Sequence, residues 1–132
     1  MNIENNQIIL SGIDIVKNER IKKLVERSPK ALGDIFSKKE IDHCMKKKFY
    51  EQSLGARFAV KEAVLKATDS HIFEFKLSDI ETINSKTGKP HINIYSDKLN
   101  LKIKNKLNKD NYTINVSMSH EKEYSIANVI IY

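Results

Sequence analysis

The 132-residue chain has one cysteine, Cys44, four glycines and no tryptophan. A single thiol forms no internal disulfide and no thiolate zinc cluster, so packing must hold the fold, and a reducing intracellular setting is expected. The glycines are dispersed, with neither a Walker loop nor a dinucleotide-binding pattern, and no G-x-S-x-G marks a nucleophile elbow. Aromatic residues are 8% of the chain and form no base-stacking RNA-binding motif. His43, His71 and His91 lack metal-ligand spacing. No apolar run approaches the roughly 20 residues that span a bilayer. MNIENNQIIL has no basic region ahead of a long apolar stretch, so no secretory signal is expected and the cytoplasm is the expected compartment.

What is present fits one globular domain over residues 1–132, with 40% hydrophobic and 30% charged residues. The net charge of +6 favours polyanionic partners: nucleic acid, a phosphate-rich small molecule or an acidic protein. QIILSGIDIV reads as a strand broken at Ser11-Gly12, and KNERIKKLVERS as a helix that Ser28-Pro29 ends. Gly33 and Phe36 fall in a connecting loop. Ser37 and Glu40 form a capping-box pattern that starts a further helix. A longer helix is expected over about 51–68, then a hairpin with Lys86–Lys89 in its turn, and a helix capped by Ser96. YTINVSMSH and YSIANVIIY read as strands joined at EKE. This mixture with antiparallel neighbours predicts an α+β fold rather than a doubly wound sheet.

RFAVKEAVLKA, residues 57–67, is the most unusual segment. On a helix, Val60, Ala63, Val64 and Ala67 line one side, and Phe58 and Leu65 lie nearly opposite, so the helix should sit between neighbours. Glu62 lies beside Phe58, with Lys66 next to it. Asp14 is flanked by Ile13 and Ile15 in a strand. The two carboxylates could meet across a strand–helix interface as a hard oxygen site for Mg²⁺. The plainer alternative is that Asp14 faces solvent and Glu62 pairs with Lys66 at i,i+4. Arg57, Lys61 and Lys66 could grip phosphates or form a solvated basic flank. His120, in SMSH, could bind phosphate or move a proton, or be a surface turn histidine. Arg20, Lys22, Lys23 and Arg27 could dock an acidic surface or nucleic acid, or simply face water.

Taken together, GIDIVKNERI, FSKKEI, RFAVKEAVLKA and SMSHEKEYSIANVII, with the short TGKP, resemble in order and spacing the holo-acyl-carrier-protein synthase family, the small 4′-phosphopantetheinyl transferases. The resemblance implies an antiparallel sheet packed on a long central helix, and homotrimers with active sites between subunits. It implies Mg²⁺-dependent transfer of phosphopantetheine from coenzyme A to a serine of apo acyl carrier protein, releasing adenosine 3′,5′-bisphosphate. Asp14 and Glu62 would ligate the metal, and Lys66 would contact the pyrophosphate and assist the leaving group. Glu62, directly or through water, is a candidate base for the serine proton. Arg57, Lys61, Lys66 and His120 would hold coenzyme A, and Arg20 and Arg27 would dock the carrier protein. Neither nucleic acid nor membrane is an expected partner. The sequence departs from the pattern at Leu10, where a glycine is usual, in the order of LGARF, at Glu121, and in ATDSHIF, which replaces a glycine-rich loop. An active, divergent enzyme is expected; a basic nucleic-acid-binding domain and a catalytically inactive relative are the alternatives.

Overall fold

The computed structural model describes residues 7–132. Residues 1–6, part of the stretch read above for a secretory signal, lie outside the described residues. The architecture is organised around one 18-residue helix, Tyr50–Ala67 (α4). Leu54, Ala56, Ala59, Val60, Ala63, Val64 and Leu65 are all buried, on more than one side of it. The expectation that this helix is enclosed by neighbours is therefore met.

A three-stranded antiparallel sheet lies against α4, in the order β1 (Leu10–Lys17), β5 (Tyr124–Ile131), β4 (Ile114–His120). Alternation along β5 turns Ser125, Ala127, Val129 and Ile131 inward and Tyr124, Ile126, Asn128 and Ile130 outward. Gly12 sets how closely β1 approaches: a Cβ there would fall 1.9 Å from the Ala63 carbonyl oxygen and 2.9 Å from the Ala67 nitrogen. Only a residue without a side chain lets these two backbones touch. Asp14, two residues on, is carried to the helix by that contact.

The other elements close the flanks. Helix α1 (Asn18–Arg27) leads through a 3₁₀ turn, Pro29–Ala31, to α2 (Leu32–Ile35) and α3 (Lys38–Cys44). Ile21, Leu32, Phe36, Cys44 and Leu54 form a small core beneath them. The capping box is complete, with Glu40 N donating to Ser37 Oγ and Ser37 N to Glu40 Oε1. The hairpin pairs β2 (Ile80–Asn84) with β3 (Pro90–Ile94), and Gly88 supplies a φ of 85° in its turn. Helix α5 (Asp97–Leu107) is capped by Ser96 and buries Leu99, Ile103 and Leu107. Two expectations are corrected. The first strand starts at Leu10 and runs through Ser11-Gly12 without a break, because Gly12 packs rather than turns. Gly33 belongs to α2, since Pro29 starts a helical turn instead of an open loop. Among the described residues, no helix is long and apolar enough to cross a membrane.

Candidate active site

Where β1 crosses α4, strand and helix side chains converge. The Lys66 ammonium donates to Asp14 Oδ1 at 3.0 Å and to the Ile13 carbonyl at 3.0 Å. The Asp14 side chain is 15% exposed and that of Lys66 56%. One turn back, Glu62 is half-buried. Burial, and then the negative charge of Asp14, raise its pKa, while Lys66 and Arg20 act in the opposite direction. These four groups, drawn from β1, α1 and α4, therefore share one electrostatic field. The plainer sequence reading is not what forms: among the described residues, the ion pair of Lys66 is with Asp14, and Asp14 does not simply face water.

The donor set fits a magnesium ion. Asp14 and Glu62 are both partly buried, and the charge of Asp14 makes ionisation of Glu62 harder. A divalent cation relieves that repulsion. Among the described residues no third His, Cys, Asp or Glu joins them. A closed zinc cage is thus ruled out for this group, whereas Mg²⁺ commonly takes one or two carboxylates and fills its remaining positions with water and substrate phosphate. An open groove of about 380 Å³ is lined by Lys66 together with Ser11, Gly12, Ile13 and Asn128.

The other expected residues divide. Arg20 and Arg27 are exposed on α1. His120 is exposed at the end of β4, its Nδ1 3.0 Å from Gln52 Oε1. Arg57 is 3% exposed and points to the hairpin: it donates to Asn84 Oδ1 at 2.6 Å and to the Ser53 carbonyl at 3.3 Å, and its buried Nε has no partner. Its guanidinium is buried, neither an open fork nor a solvated basic flank. Lys61 is turned inward as well. Its ammonium is fully buried and donates to Glu40 Oε1 at 2.7 Å, to the Leu77 carbonyl at 3.0 Å and to the Ile80 carbonyl. These three acceptors account for all three ammonium hydrogens.

Sequence reasoning missed the partner that holds Lys61. Glu40 was read only as the second half of a capping box, yet Oε1 also takes the lysine and Oε2 accepts from Thr82 N at 3.1 Å. It missed Asn18 as well. That buried amide donates to the Glu121 carbonyl at 2.7 Å and accepts from Ser125 Oγ at 2.6 Å, fastening the turn after His120. No local pattern marks either contact, since the partners lie far apart in the chain.

Residues 11–127 match the model of the 4′-phosphopantetheinyl transferase superfamily. The chain belongs to that family. A similar relative is the holo-[acyl-carrier-protein] synthase of Clostridium botulinum (strain Alaska E43 / Type E3), 42% identical over 120 residues, which are 91% of this chain and 94% of that one. The Helicobacter pylori holo-[acyl-carrier-protein] synthase, solved in complex with coenzyme A, superposes with a TM-score of 0.76 at 31% identity, over 93% of this chain and 100% of that one. The Bacillus anthracis holo-(acyl-carrier-protein) synthase, solved with CoA (3′,5′-ADP), gives 0.75 at 28% identity, over 95% and 96%. The α+β architecture, an antiparallel sheet on a long helix, is thus that of the holo-[acyl-carrier-protein] synthases. The matched span takes in Asp14, Glu62, Lys66 and His120.

Proposed function

We propose that this chain transfers the 4′-phosphopantetheine arm of coenzyme A to a serine of apo acyl carrier protein and releases adenosine 3′,5′-bisphosphate. The observation that carries the reading is the convergence of Asp14, Glu62 and Lys66 where β1 crosses α4. In the reaction the serine oxygen bonds to the pantetheine-side phosphorus, the bond from that phosphorus to the bridging oxygen breaks, and the serine proton leaves. Asp14 and Glu62 would hold Mg²⁺, which when bound supplies charge neutralisation on the pyrophosphate oxygens. Lys66 is exposed enough to leave Asp14 for the pyrophosphate and stabilise the departing oxygen. Glu62, whose raised pKa makes it a better proton acceptor than an ordinary carboxylate, is suited to take the serine proton, directly or through water. His120, exposed at the end of β4, would hold a phosphate of coenzyme A. Arg20 and Arg27 offer cations to an acidic carrier protein.

The assembly belongs to the same reading. The sheet face turned away from α4 exposes Ile13 (55%), Ile15 (60%), Ile126 and Ile130. Exposed isoleucines gathered on one sheet face favour a covering partner, and a second copy of the chain is the occupant we propose, in a homotrimer with shared active sites. The cytoplasm is the compartment where such a carrier protein is met. The test is direct: incubate the protein with coenzyme A, Mg²⁺ and apo acyl carrier protein, and weigh the carrier. A phosphopantetheine mass gain that Glu62→Ala abolishes is expected. No gain in wild type would overturn the enzyme reading; a gain that survives Glu62→Ala would overturn the metal assignment.

A further inference from the structure

Immediately beyond Lys66 the chain runs into ATDSHIFEF, which contains no glycine. The left-handed position that closes the helix is filled by Asp69, at a φ of 52°. The carbonyls of Val64, Leu65 and Lys66 near the end of α4 are nevertheless occupied. Thr68 Oγ1 donates to the Val64 carbonyl at 2.9 Å, Ser70 N to Leu65 at 2.9 Å and Asp69 N to Lys66 at 3.3 Å. This cap is held from outside by α5. The Lys102 ammonium donates to the Asp69 carbonyl at 3.2 Å, Ser70 Oγ at 2.9 Å and Glu74 Oε2 at 3.2 Å. Those three acceptors use all of its hydrogens. Lys106 adds a contact to Asp69 Oδ2 at 3.0 Å. Below them Phe75 is buried, with the Lys102 ammonium 5.9 Å from its ring centre.

We infer that Lys102 is a positioning residue for phosphopantetheinyl transfer: by pinning Asp69, Ser70 and Glu74 it fixes the final turn of α4, and so the base from which Lys66 reaches the pyrophosphate. The inference rests on the proposed role of Lys66. Its physical ground is that a helix frays from its last turn, and that Lys66, once it leaves Asp14 and Ile13 for the pyrophosphate, is a long, flexible cation positioned by where its backbone is held. Two ammonium groups beside that C-terminus also oppose fraying through the helix dipole. Lys102 itself touches the loop and not the reacting groups.

The test compares Lys102→Met, Lys102→Arg and wild type, each with Mg²⁺, coenzyme A and apo acyl carrier protein. Because misplacing a catalytic group by about 1 Å costs up to ~100-fold, Lys102→Met should lower kcat by about tenfold and leave KM for the carrier protein within about twofold. Amide exchange at residues 68–74 should accelerate, while that of Val60 and Ala63 stays slow. Lys102→Arg, which keeps the charge and the donors, should recover most of both. Faster exchange with unchanged kcat would overturn the inference, as would lower kcat with unchanged exchange. An inactive wild type would overturn the underlying reading and the inference with it; an active wild type and an equally active Lys102→Met would overturn the inference alone.

Discussion

Lys61 and Glu62 are adjacent in sequence and opposite in circumstance. Lys61 lies wholly inside the protein, where burial lowers its pKa and Glu40 pushes it back up. Lys61→Ala would leave the Glu40 carboxylate buried without its cation, a loss of about 3–5 kcal/mol by analogy with other broken buried pairs. Urea denaturation should show it as a lower midpoint with an unchanged slope. Glu62 behaves in the other direction. Its raised pKa means that the native state holds its proton more tightly than the unfolded chain does. Stability therefore falls as pH rises from the ordinary carboxyl range through the raised value, and the penalty persists above it. Glu62→Gln should melt higher than wild type at neutral pH, with the difference closing near about pH 4, where the unfolded carboxyl is also protonated. Added Mg²⁺ should raise the melting temperature of wild type but not of Glu62→Gln. A variant that melts lower at neutral pH, or still responds to Mg²⁺, would contradict the assignment.

At the scale of elements, much was legible in the sequence where its signals are local. The capping box, the Ser96 cap, the hairpin turn around Gly88 and the alternation of β5 each depend on residues within a few positions of one another. Asp14 and Glu62 stand out in the sequence as well, since a carboxylate in an apolar segment is rare enough to notice. The orientation of Lys61 was not legible, and the reason is specific to α4. A helix buried on more than one side carries no single apolar stripe, so periodicity cannot say which of its cations faces inward. Its partner Glu40 is 21 residues away on another helix. The closeness of β1 and α4 was equally hidden, because Gly12 looks in sequence like a break. Gly12→Ala should be costly: overpacking of this kind costs about 1–3 kcal/mol where side chains can yield, and here the obstacle is backbone. It should also part Asp14 from Glu62 and lower transferase activity beyond any loss of folded protein. Normal activity in the soluble variant would show that the contact does not set the site.

For the whole molecule, net charge and exposed apolar side chains bear on different partners. The excess of 23 basic over 17 acidic residues gives a net charge of +6, suited to attracting an acidic carrier protein. The outer sheet face instead exposes Ile13 and Ile126, which line a shallow recess with Ser117, Ser119 and Asn128. Ile126→Asp places a charge in the middle of that face without touching the α4 side of β5. If copies of the chain meet there, sedimentation should show the wild-type trimer reduced to monomer in this variant, with activity falling in parallel. A wild type that sediments as a monomer at all concentrations would rule out the shared-site assembly.

The contact at Gly12 also bears on genetics. A damaged packing site can usually be rescued by trimming the side chain that a new one strikes. Here the atoms struck are the carbonyl of Ala63 and the amide nitrogen of Ala67, which every amino acid at those positions would bring with it. A Gly12→Ala allele therefore has no trimmed neighbour to suppress it. Selection for recovered activity should return revertants to glycine at position 12, with the second-site class empty at 63 and 67.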